Sequence, residues 1–147
     1  MRQAPLRLAL VLALAAGCSE PEQPVPEVPA IDECADVASW DAAWAEFERE
    51  VLEQINERRT EGADCESGGE FLTPSEPLTM HPALRCAARK HTLAMIAGDY
   101  VEHENPDGQT FQDRVALAEY EGEPLAQSIA AGQRDPERVV ATLMSND

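Results

Sequence analysis

The sequence predicts an α+β domain that is mostly helical, with three to four helices and few strands. Three observations lead there. Apolar residues recur at spacings of three and four in several separate segments, which is the period of one helix face. A single stretch, Ala126-Gln127-Ser128-Ile129-Ala130-Ala131-Gly132, reads as a short strand or extended run. Ahead of it, Asn105-Pro106-Asp107-Gly108 is a strong turn signal, because Pro fixes φ, Asp bonds its own backbone and Gly accepts positive φ.

At the N-terminus, Arg2 and Arg7 precede the apolar run Leu8-Ala9-Leu10-Val11-Leu12-Ala13-Leu14-Ala15-Ala16, followed by Gly17-Cys18. A basic segment, a short apolar core and small residues before a cleavage point make an export signal. About nine apolar residues fall short of the roughly 20 that span a bilayer. Leu14-Ala15-Ala16-Gly17-Cys18 resembles a bacterial lipobox, so residues 1–17 read as a lipoprotein signal peptide. That resemblance implies cleavage before Cys18, diacylglycerol on its sulfur and an acyl chain on its new amine. Several chains anchor firmly where one is marginal. The partner implied is a membrane of the bacterial cell envelope, and Ser19 in place of Asp favours the outer one. Residues 18–36 then read as a tether. Pro21, Pro24, Pro26 and Pro29 keep it extended, and Glu20, Glu22 and Glu27 repel one another.

The domain is expected over residues 37–147. Ser39 is expected to cap a helix whose face carries Trp40, Trp44, Phe47, Val51, Leu52 and Ile55, ending at about Thr60 before Gly62. Residues 62–77 form a loop long enough to need a clamp. Pro82 opens a second helix with Leu84, Ala88, His91 and Met95 on one face, closed by Gly98. His91 therefore points inward, bonded to backbone or to a neighbouring side chain. Thr110 and Asp113 form a capping box for a third helix bearing Phe111, Val115 and Ala118. Asp135 caps and Pro136 opens a last helix with Val139, Val140, Leu143 and Met144. Its apolar face runs to the final residues with no capping signal after it.

Charge and cysteines narrow the function classes. Eleven basic and 28 acidic residues give a net charge of -17. So negative a surface repels phosphate backbones and excludes nucleic acid as a partner. No Asp-x-Asp-x-Asp-Gly loop indicates calcium. With Cys18 lipidated, Cys34, Cys65 and Cys86 remain, and export favours a disulfide. A Cys65–Cys86 bridge is expected. It would tie the long loop to the second helix and close about 20 residues, for roughly 3 kcal/mol in the chain-entropy model. Cys34 is then left over.

His103 is flanked by Glu102 and Glu104 and sits on the rigid turn, where its ring can face a cleft. Five segments in order resemble the CAP superfamily of cysteine-rich secretory proteins, venom antigens and pathogenesis-related proteins, above all its lipid-anchored SCP-like bacterial members. They are Val51-Leu52-Glu53-Gln54-Ile55-Asn56-Glu57-Arg58-Arg59, Leu78-Thr79-Met80-His81-Pro82-Ala83-Leu84 and Ala87-Ala88-Arg89-Lys90-His91-Thr92-Leu93-Ala94-Met95. His103-Glu104-Asn105-Pro106-Asp107-Gly108 and Ser128-Ile129-Ala130-Ala131-Gly132 complete the set. The resemblance implies an α-β-α sandwich, here mostly its helical part, with a cleft of two His and one or two Glu. His103 takes the place of the first cleft His, with Glu104 and Gln127 beside it. Three departures stand out. Gln127 replaces an ionisable Glu, and an amide is neither a general base nor a good transition-metal ligand. His81 stands where an Asp usually caps the second helix. The sequence stops before the family's second cleft His.

The function expected is a lipid-anchored envelope domain that binds a ligand or protein partner without catalysis; sterol, peptidoglycan fragment and protein are the ligand classes considered. The first alternative is a metal-assisted hydrolase with zinc at His103. Such sites take about three protein ligands, and neither a zincin nor a Gly-x-Ser-x-Gly motif occurs. The second alternative is a truncated, non-functional chain, in which one strand could not satisfy its own backbone groups; it would be marginally stable and self-associate. Lipidation is tested by feeding cells a clickable fatty acid. The parent should be labelled, and Cys18→Ser should remain an unlabelled precursor; equal labelling of both would end the lipoprotein reading.

Overall fold

The structure, a computed structural model, describes residues 27–65, 70–72 and 74–145; the signal segment, Cys18 and residues 18–26 of the tether lie outside them. A 3-10 turn (Asp32–Cys34) leads into α1 (Ala35–Ala38) and α2 (Ala42–Glu61). Strands β1 (Ala63–Cys65) and β2 (Glu70–Leu72) follow, then α3 (Pro82–Gly98), α4 (Phe111–Leu117) and α5 (Pro136–Ser145). The class is all-α, which corrects the expected α+β class and its α-β-α sandwich. Among the described residues the only sheet is the antiparallel ribbon β1–β2, with Ala63 opposite Leu72 and Cys65 opposite Glu70. Three residues a side form a ribbon, not a layer that helices could cover. The run 126–132, expected as a strand, is irregular and has no backbone partner among the described residues. A strand exists only beside another, and no described segment pairs with this one.

Helix ends follow local hydrogen bonding. Asp41, not Ser39, caps α2: its carboxylate accepts from the Ala43 and Trp44 amides at 2.8 and 3.3 Å. Trp40 consequently precedes the helix. Gly62 closes α2 at φ 83°, a conformation that a side chain would strain. The loop after it is clamped by α2 itself. The Asn56 amide bonds the Leu78 carbonyl (3.0 Å) and the Leu78 N–H (2.7 Å), and Arg59 donates to the Glu76 carbonyl (3.1 Å). His81 does cap α3, its Nδ1 accepting from the Ala83 amide at 3.3 Å. At the other end of α3, Asp99 rather than Gly98 takes the left-handed conformation. Asp135 caps α5 through the Arg138 amide, and α5 packs along α2 with Val140 buried.

The core lies between α3, α4 and the segment before α2. Val28, Cys34 and Val37 meet Ala83, Cys86 and Ala87 of α3, with Val115 and Ala118 of α4, and Ile31, Trp40, Leu93 and Tyr120 pack around them. Residues 27–36, read from sequence as tether, thus contribute to the core. The buried face of α3 is Ala83, Cys86, Ala87 and His91; Leu84 and Ala88 of the expected stripe are exposed. Small side chains let α3 approach the preceding segment closely, a geometry that the wider apolar stripe would prevent. Arg89 is also inside. Its guanidinium bonds both Glu48 oxygens (2.9 and 2.8 Å), Glu27 (3.0 Å) and the Val37 carbonyl (3.3 Å), beneath the Trp40 ring at 4.8 Å.

Cys86 bridges Cys34, not Cys65, with Cα atoms 5.7 Å apart. The cause is the packing of the 3-10 turn onto α3, which places both cysteines in the core. The crosslink spans a sequence separation of 52, and the chain-entropy model gives about 4 kcal/mol for such a loop. Non-reducing peptide mapping should recover the 34–86 peptide pair. Cys34→Ser/Cys86→Ser should lower the unfolding free energy in urea by about 4 kcal/mol; a Cys65–Cys86 linkage in the parent would contradict this pairing.

Candidate functional site

The turn before α4 is built by short-range bonds. The Gly108 amide donates to the Asn105 carbonyl (2.9 Å), with Gly108 at φ 80°. The Asn105 side chain accepts from the Gln109 amide at 2.7 Å, and the Asn105 amide donates to the Gln109 carbonyl at 3.2 Å. Thr110 then starts α4 with a complete capping box. Its hydroxyl accepts from the Asp113 amide, while the Asp113 carboxylate accepts from the Thr110 amide (2.9 Å) and hydroxyl (2.7 Å). Those Thr110 bonds hold the Asp113 carboxyl below its ordinary range.

Arg114 fastens the turn from behind. It is 6 % exposed, and it donates to the Gln109 carbonyl (2.9 Å), the His103 carbonyl (2.8 Å) and Gln127 Oε1 (3.3 Å). The same Gln127 oxygen lies 3.2 Å from His103 Nδ1. An Arg can only donate, so the atom facing it is the amide oxygen, and His103 must donate to it through Nδ1–H. Nε2 of the neutral ring is left as an acceptor. His103, Glu102 and Glu104 are all exposed, and with Tyr100, Asn105 and Pro106 they line an open depression of about 470 Å³. The structure thus brings His103 and Gln127 together and puts Glu104 on the same rim. Among the described residues no group of three or more His, Cys, Asp and Glu side chains is placed to hold a metal. Zinc at His103 finds no second and third protein ligand there.

His91 is buried and backbone-bonded, as its position in α3 predicts. It is 2 % exposed, and its Nε2 donates to the Glu102 carbonyl at 2.9 Å. Burial pushes its pKa down, the Glu102 carbonyl opposes this, and the charge of nearby Arg114 pushes down again. Arg114 is the functional residue that sequence reasoning missed. One signal could have found it. Only nine basic residues follow Cys18 against 28 acidic ones (11 less Arg2 and Arg7), so a base directly beside an apolar stripe, as Arg114 is beside Val115, has structural work to do.

Fold and site together define a small, acidic, disulfide-tied helical domain that presents a His on a rigid turn. No protein-family model matches the chain, and no curated protein or solved structure matches it.

The buried His91 makes stability depend on pH. The folded state binds its proton less readily than the unfolded chain, whose value is near 6.5. Its contribution is therefore complete above that value and is lost as pH falls below it. Urea unfolding at about pH 7.5 and about pH 5 should show a drop that His91→Gln largely removes; an unchanged drop in the variant would place the titration elsewhere.

Proposed function

We propose that this chain is an exported, lipid-anchored domain of the bacterial cell envelope that binds a ligand or protein partner at the His103 depression without carrying out a chemical step. The observation that carries the reading is the pairing of His103 with Gln127 across 24 residues of sequence. The likeness to SCP-like members of the CAP superfamily puts both residues in one cleft, and their contact supports that part of the likeness. The proposal concerns the site and not the sandwich. A His whose Nδ1–H is held by a neutral amide has no carboxylate to stabilise its protonated form, and the amide cannot take up a proton itself. Binding needs neither. Glu102 and Glu104 on the rim, with a net charge of -17, favour a ligand or partner that presents a positive group. The basic residues, apolar run and Cys18 of the N-terminus support envelope anchoring through lipid.

Two measurements test the reading. Calorimetric zinc titration should give the same affinity for the parent and for His103→Ala; a tenfold loss in the variant would favour the metal-assisted hydrolase. A photoreactive residue in place of Glu102 should give, in cells, a crosslinked adduct of discrete mass that His103→Ala removes. An adduct indifferent to His103 would move the binding surface away from the depression.

A further inference from the structure

Among the described residues two arginines are buried, and only one of them is ion-paired. Arg89 is held by Glu27 and Glu48. Arg114 has only the neutral oxygens of Gln109, His103 and Gln127, and no carboxylate among the described residues lies within 4.0 Å of it. Those three bonds occupy three of the five guanidinium N–H donors and leave two. A buried cation without a counter-charge is unfavourable, and burial here pushes Arg114 toward losing its proton.

Next to Arg114 is a cavity of about 90 Å³ between α3 and the turn, lined also by His91, Lys90, Glu33, Ala87 and Ala94. His91 gives a second, independent sign. Its Nε2 is engaged by the Glu102 carbonyl, whereas its Nδ1 is buried with no hydrogen-bond partner. Lys90 is already matched by Glu33 (3.0 Å) and Asp36 (3.5 Å), so the uncompensated charge on the cavity wall is that of Arg114. We propose that this cavity is a binding site for a small carboxylate of the size of formate or acetate, with Arg114 as its counter-ion and His91 Nδ1 as its second contact. Both Nη2 hydrogens are taken by the His103 and Gln127 oxygens, so the carboxylate accepts a single charge-assisted bond from one of the two N–H groups left rather than a bidentate grip. A space of about 90 Å³ has room for an anion of a few heavy atoms.

Proton linkage follows from the chemistry. A carboxylate only accepts hydrogen bonds, and neutral His91 Nδ1 only accepts as well. The anion therefore binds together with one proton from solvent, held between its oxygen and Nδ1. The charged and titratable groups around this proton are Arg114 from α4, His103 and Tyr100 from the turn segment, and Lys90 with Glu33 and Asp36. Glu33 opposes the anion and is neutralised by Lys90. The cavity shares only Asn105 with the His103 depression, so the inference goes beyond the proposed function and does not rest on it.

The test is titration of the full chain with sodium acetate, against sodium chloride at matched ionic strength, followed by thermal melting and by the ring nitrogen shifts of His91. Acetate should raise the melting temperature saturably and move His91 Nδ1 into its protonated range. Its apparent affinity should tighten about tenfold for each unit that pH falls above the His91 titration. Ala94→Leu, which fills the cavity, and Arg114→Met should each remove the acetate response. A parent that responds to acetate no more than to chloride overturns the proposal, as does an acetate response that persists in Ala94→Leu.

Discussion

Arg89 sets the arrangement of the chain. A guanidinium that is 1 % exposed must find its counter-charges inside the protein, and it finds them on segments far apart in sequence. Glu27 and the Val37 carbonyl come from before α2, Glu48 from within α2, and the Trp40 ring lies between them. Arg85, one turn earlier on α3, reaches the same Glu48 at 2.7 Å. Those contacts require α2 and the N-terminal segment to lie against α3 at one angle and register. Deleting one partner of such a pair typically costs about 3–5 kcal/mol, because the remaining charge is stranded. That figure measures the breakage and not a net gain over an apolar core.

The apolar core is modest, which explains the prominence of the ionic and covalent ties. Alanines, valines and the two bridged cysteines make up its buried apolar set, and its largest fully buried side chains are Arg89 and His91. Several aromatic and large aliphatic residues stay partly outside, Trp44 at 51 % and Ile96 at 65 %. A small domain with so little apolar burial depends on crosslinks, and Cys34–Cys86 sits at the centre of the cluster where it restrains the chain most directly.

Two buried side chains share the work of presenting His103. His91 holds the Glu102 carbonyl and Arg114 holds the His103 carbonyl, so two successive backbone groups are fixed from the inside while the ring stays outside. Gln127 then fixes the ring orientation through Nδ1. A surface group held by locked supporting side chains keeps one geometry between encounters, which is what selective binding requires.

The sequence by itself determined the turn and most helix ends, though not the start of α2 or the end of α3, where Asp41 and Asp99 take the places expected of Ser39 and Gly98. Gly62, Pro82, the Thr110–Asp113 box, Asp135 and the 105–108 turn all act within four residues along the chain, so their hydrogen bonds exist whatever the rest of the chain does. The contact of His103 with Gln127 was legible only as a likeness to a motif, since no local rule joins residues 24 apart. Tertiary structure alone decided the partner of Cys86, the face that α3 buries, the inward turn of Arg89 and Arg114, and the absence of a strand at residues 126–132. Each of these depends on which distant segment arrives alongside. A cysteine takes the thiol that packing brings within bonding distance, a helix with two plausible faces buries the one its neighbour can approach, and an extended run becomes a strand only when another lies beside it.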